Sequence, residues 1–211
     1  MKSWVKSVFV VSCAVVMTLS SGLSGVARPG DGDTQLQVQI DELTAKIKAN
    51  PRDTTSLYQR AKLYRKLKML DLAKMDAEAI VTLVPEHSSG YWLLAMVAKD
   101  SSNDLQGLSA IRKCMSREKD LVPDHVHFEM DCLRGLKRYQ ELMKVSLNLE
   151  KAVPNDAENF YFRAYARNGL GQSNKLVKAD LDRTLMNDLK GVDKRMQHLE
   201  ASIQSISETK Q

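Results

Sequence analysis

The chain has 211 residues, 43% of them hydrophobic and 27% charged, with a formal net charge of +5, which is the ordinary range for a globular protein able to bury a core. The charges are interspersed rather than gathered into a basic stripe, so the composition gives no basis for a nucleic-acid partner. Gly and Pro number only 10 and 5, and residues that enter helices at little cost dominate; an all-α protein is expected.

The N-terminus is unlike the rest. Lys2 and Lys6 precede the apolar run "VFVVSCAVVMTL", Val8 to Leu19, and the small-residue stretch "SSGLSGVA". This is the pattern of a signal peptide over residues 1–27, cut after Ala27, and it predicts export, with the periplasm as destination. An uncleaved membrane anchor is the alternative, although the run is short for the ~20 residues that cross a bilayer. "VVSC", ending at Cys13, has the outline of a lipoprotein signal, but Ala14 to Met17 continue the apolar run past the cysteine. Removal of residues 1–27 takes away two lysines and no acidic residue, lowering the charge from +5 to +3. Residues 28–33, "RPGDGD", read as a flexible leader. Residues 34–49 carry Leu36, Ile40, Leu43 and Ile47 at helical spacing and predict an amphipathic helix.

From residue 50 the sequence repeats. Pro51, Pro85, Pro123 and Pro154 are followed by the blocks "LYQRA" at Leu57, "YWLLA" at Tyr91, "VHFEM" at Val126 and "FYFRA" at Phe160, whose starts are 34, 35 and 34 residues apart. A second apolar stripe follows each block; in the first unit it runs Leu72, Ala73, Met75, Ala77, Ile80 and Leu83. Each unit therefore reads as helix, short turn, helix, then a proline and polar residues suited to capping the next helix.

This pattern resembles the tetratricopeptide repeat family. The first unit matches it with Leu57, Ala61, Tyr64, Ala73, Ala77, Ile80 and Pro85. The second keeps Tyr91, Ala95, Ala98 and Gly107 but is longer before Pro123. The third has Val126, Leu133, Tyr139, Leu142, Ser146, Leu149 and Pro154, and the fourth Phe160, Ala164 and Gly171. The resemblance implies a right-handed helical-hairpin solenoid of about four units over residues 50–187. A pair of short helices cannot bury its own apolar face, so units stack and share a core. Residues 188–211 continue a stripe running from Leu185 through Leu189, Val192, Met196, Leu199 and Ile203 to Ile206. It fits a helix capping the solenoid, or a coiled-coil seam through residues 185–206 that would make the protein oligomeric.

Catalysis is not expected. His87, His125, His127 and His198 form no zinc-type spacing, no glycine loop stands before a helix to cradle phosphate, and neither a cofactor nor a metal is anticipated. The resemblance instead implies a groove lined by the first helix of every unit: Tyr58, Lys62 and Arg65; Trp92, Met96 and Lys99; His127, Asp131 and Arg134; Tyr161, Tyr165 and Asn168. Rings recur at Tyr58, Trp92, His127 and Tyr161 with cations beside them, which suits an extended peptide or a partner helix bearing acidic residues. Packing of these rings against neighbouring units is the competing reading. The Lys and Asn pattern by which related domains clamp the acidic tails of cytosolic chaperones is absent. Cys114 and Cys132 fall on helices that stack, as a candidate disulfide or as two small buried residues. The expected function is that of an exported interaction scaffold or assembly factor for a protein or peptide. An oligomerising envelope protein and a small-molecule or glycan binder are the alternatives.

Overall fold

A computed structural model describes residues 31–187, with side chains from Thr34. The signal segment and the helix expected over 188–211 lie outside the described residues. Within them the chain is all helical: α1 Asp31–Ala49, α2 Thr54–Lys66, α3 Leu70–Leu83, α4 Ser88–Asp100, α5 Asp104–Met115, α6 Pro123–Gly135, α7 Tyr139–Ala152, α8 Ala157–Gly169 and α9 Asn174–Asn187. Four antiparallel pairs, α2/α3 to α8/α9, stack in chain order as a helical-hairpin solenoid, and α1 covers the first pair. The first helix begins at Asp31, three residues inside the segment read as leader. Among the described residues no helix is long and apolar enough to cross a membrane.

Local chemistry sets the helix boundaries. Asp53 accepts the amides of Thr55 and Ser56 at the start of α2, Asn103 that of Gln106 in α5, and Asp156 that of Asn159 in α8; Pro123 occupies the first turn of α6, where its missing N–H costs nothing. The turn inside each pair is one motif used four times. Lys68, Ser102, Lys137 and Gly171 all have positive φ, at 59°, 55°, 55° and 68°. The amide after each returns to a carbonyl five residues back, as in Met69 to Tyr64 O and Arg138 to Leu133 O. This is the Schellman closure. It recurs at intervals of 34, 35 and 34 residues, the spacing of the sequence blocks.

Most positions expected to pack do so, but Leu72 and Met75 of the second stripe are exposed, at 36% and 63%. Ala61, Ala73, Ala77, Ala95, Met130, Leu133 and Leu142 are completely buried, and Leu57, Ile80, Leu149, Phe160 and Ala164 nearly so. Small residues let helices approach closely: a Cβ on Gly90 would lie 2.8 Å from Val81 Cγ2 and 3.1 Å from Ile80 Cγ2. Phe162, between the groove positions Tyr161 and Tyr165 in the sequence, is buried in the main core with Tyr91, Leu133 and Ala166. One linker departs from the pattern. Successive pairs are joined by residues 84–87 and 153–156, but α5 and α6 by residues 116–122, three residues longer.

Candidate functional site

The row of side chains expected on one face is built from the first helices α2, α4, α6 and α8. All of them except exposed Lys62 are half-buried, because most reach across to the next first helix. Arg65 of α2 donates to Asp100 at 2.7 Å and to Met96 Sδ at 3.0 Å, both on α4. Lys99 of α4 meets Asp131 of α6 at 2.6 Å and Asp104 at 3.0 Å. Arg134 binds the same Asp131 and stands 5.7 Å over the ring of Tyr165 on α8. Tyr165 lies 6.0 Å from Tyr139.

The electrostatics follow from these contacts. Burial opposes the Lys99 ammonium, but hydrogen bonds to Asp131 and Asp104 outweigh it and raise its pKa. Burial likewise opposes ionisation of Asp131, yet Lys99 and Arg134 hold its carboxyl below the ordinary range. The cations Arg65, Lys99 and Arg134 are thus matched by the chain's own carboxylates. Lys62 is the exception: its ammonium lies 5.9 Å from the Tyr58 ring, and it has no carboxylate partner among the described residues. A cleft between α1 and α2 opens beside it, lined by Glu42, Lys46, Lys62 and Lys66 among others.

The rings divide. Trp92 packs against α6, with its ring 4.4 Å from His125 and 5.2 Å from Phe128, so it joins units rather than facing solvent. His127 is held to the start of α8 by Asp156 at 2.8 Å and Glu158 at 3.4 Å. Burial would lower its pKa, but these carboxylates and Asp124 prevail and raise it. Tyr58, Tyr161 and Tyr165 stay at the surface edge of the core, and burial pushes the Tyr58 hydroxyl up. Asn168 sits at the end of α8, its carbonyl accepting the amide of Gly171.

The cysteines are not bridged: Cys114 and Cys132 are both free thiols, fully buried. Cys132 Sγ rests 3.1 Å from the Cβ position of Gly107, in the first turn of α5, whereas Cys114 is in its last turn. Seven residues of helix separate those levels by about 10 Å, beyond the ~7 Å that a disulfide spans between Cα atoms. Burial pushes both thiols up to about 12, which leaves them protonated and poor nucleophiles.

A second polar cluster lies off the row and was not anticipated from spacing. His125 Nδ1 is 2.7 Å from Glu118 Oε1, and Cys114 Sγ is 3.5 Å from that oxygen and 3.8 Å from that nitrogen. Among the described residues this trio alone gathers three groups able to hold a metal ion.

Comparison with known proteins places the fold. No family model matches the chain. A curated relative, the small glutamine-rich tetratricopeptide repeat-containing protein 2 of Saccharomyces cerevisiae, is 26% identical over 123 residues, covering 58% of this chain and 34% of that protein. The match thus spans about a third of the relative's length. Among solved structures, YrrB, described as a TPR protein with an unusual peptide-binding site, superposes with a TM-score of 0.66 at 14% identity, covering 81% of this chain and 85% of its own. MamA does so with a TM-score of 0.64 at 13% identity, over 77% and 95%. A tetratricopeptide repeat protein from Parabacteroides merdae gives 0.60 at 18%, over 75% and 61%. With four stacked helical pairs, a 34-residue period and these likenesses, the chain has the tetratricopeptide-repeat fold.

Proposed function

We propose that this protein is an exported, non-catalytic interaction module that holds an extended peptide or partner helix along the face of α2, α4, α6 and α8. The observation that carries the reading is the unbroken row from Tyr58 and Lys62 through Arg65, Lys99, Asp131 and Arg134 to Tyr165. It crosses all four units on the helices that border one another. A row of alternating charge and aromatic edge, already ordered by its own ion pairs, loses little side-chain entropy when a ligand settles on it. Because Arg65, Lys99 and Arg134 are internally neutralised, acidic groups of the partner are read at the Lys62 end, and the tyrosines supply apolar contact elsewhere. The charged start and short apolar run before residue 28 support export, and assembly work in a cell envelope is the setting that this implies.

The test replaces Tyr58, Lys62 and Tyr165 together by Ala and compares partner recovery from the native cell envelope with that of the unaltered protein. Trp92 is left in place because it packs between units. Loss of the partner with unchanged helical circular dichroism is expected; full recovery by a folded triple variant refutes the assignment.

A second reading rests on α9. Leu185 and Met186, at its end, are 37% and 75% exposed, an apolar edge that the segment after residue 187 or a second copy would cover. Light scattering over a concentration series separates these, since a monomer throughout removes the oligomer.

A further inference from the structure

We propose that Cys114, Glu118 and His125 form a binding site for a transition-metal dication, with zinc the best chemical match. The three donor atoms are mutually separated by 2.7, 3.5 and 3.8 Å. The circle through them has a radius of about 2.0 Å, close to the 2.0–2.3 Å bond lengths of zinc to N, O and S. An ion just off the plane of the triangle therefore reaches all three after only a small opening of the Glu118–His125 contact. One thiolate, one carboxylate and one neutral imidazole also balance the charge of a dication, which a half-buried site needs. The donor set mixes a soft sulfur with a borderline nitrogen and a hard oxygen. That combination selects zinc or its neighbours over calcium and magnesium, which take oxygen alone.

The repeat itself marks the place as unusual. One unit earlier, at the equivalent positions, Ile80 lies against Gly90 in a purely hydrocarbon junction between α3 and α4; one unit later the position of Cys114 is taken by buried Leu149. Only at the α5/α6 junction do a thiol and an imidazole replace these groups. The extra length of the 116–122 linker delivers the carboxylate to them. That linker is fixed from the next residue along. Arg117 donates to Pro85 O at 2.6 Å and to the Tyr91 hydroxyl at 3.0 Å, with its guanidinium 4.0 Å over the Tyr91 ring. Trp92 lies against the His125 ring and holds its plane. Groups that restrain ligand orientation in this way sharpen metal affinity.

Glu118 and His125 side chains are 12% and 14% exposed, so the ion enters from their side while Cys114 lies behind them. Binding displaces the thiol proton to solvent, giving the metal thiolate and H⁺, and the neutral imidazole of His125 shifts its proton from Nδ1, where it faces Glu118, to Nε2, which frees Nδ1 to ligate. The fourth position is open to water, as in zinc sites with three protein ligands.

Cobalt(II) titration of the reduced full chain tests this, because thiolate ligation gives a charge-transfer band in the near ultraviolet and a tetrahedral site gives intense visible bands. Saturation at one equivalent, displacement by zinc, and a zinc-induced rise in melting temperature are expected. Cys114→Ser should lose the charge-transfer band. Glu118→Gln, at a more exposed position, keeps the fold by circular dichroism but should lose saturation and the zinc-induced rise. Cys13→Ser and Cys132→Ser should keep both. Absence of the bands in the reduced wild type, their survival in Cys114→Ser, or their loss in Cys13→Ser overturns the site.

Discussion

Arg163 and Asp180 have side chains each 3% exposed and face each other between α8 and α9, with Arg163 Nη2 2.6 Å from Asp180 Oδ1. Arg60 and Asp76 repeat the arrangement between α2 and α3, also at 2.6 Å. The register "LYQRA" over "FYFRA" aligns the two arginines in the sequence, so their common role was legible there, while their partners, on the following helix, were not. Arg167, without counterpart in the repeat, proves to be a second cation on Asp180, its Nε 3.0 Å from Oδ2. Replacing Arg163 by Met leaves Asp180 buried with half its compensation, and a loss of roughly 3 kcal/mol is expected in urea unfolding. Adding Asp180→Leu should restore most of it. A loss within ~0.5 kcal/mol for the single variant would deny the pair its role. His127 makes the residue scale pH-dependent. Its pKa is raised above the ordinary 6.5 by Asp156, Glu158 and Asp124, so its contribution is full below that value and fades as pH rises through the raised one. Asp156, whose pKa is lowered, keeps its contribution above the carboxylate range. Thermal melts should therefore show a stability that falls as pH rises above about 6.5 in the wild type but not in His127→Gln. Equal slopes would show that His127 is not the group involved.

At the scale of elements, the helices were legible because the period and the capping residues agree; the turns inside the pairs were less so. Three of the four left-handed turn positions hold Lys68, Ser102 and Lys137 instead of the glycine that announces such a turn, and only Gly171 does so in the sequence. A left-handed residue with a Cβ costs roughly 1–2 kcal/mol, offset partly by the extra unfolded-state freedom of glycine. Lys137→Gly is accordingly expected to raise stability by up to ~1 kcal/mol, measured by chemical denaturation, and Gly171→Lys to lower it by a similar amount. A destabilised Lys137→Gly would mean that the turn is held by something other than its backbone conformation. The other element the sequence concealed is the 116–122 linker. Its added length was visible as a late Pro123, but its bringing Glu118 onto Cys114 and His125 depends on the fold, since C-x3-E-x6-H matches no recurrent metal spacing.

Across the whole molecule, stacked pairs share their cores and successive first helices are tied by Arg65–Asp100, Lys99–Asp131 and His127–Asp156. Block register sets the row's positions on the first helix of each pair, whereas their division of labour was not legible, because a sequence does not reveal which charges meet. Trp92 and three of the four cations turn inward to their neighbours, and the tyrosines with Lys62 are what the face presents. The central claim is that a partner lies on this face rather than on the opposite side, where Met75 is 63% exposed on α3. It is tested most directly by placing a photo-crosslinking amino acid at position 62, 165 or 75 and irradiating cells that express the protein. The account predicts a shared, discrete adduct from positions 62 and 165 and none from 75. The same adduct from 75 alone, or from all three alike, would contradict it.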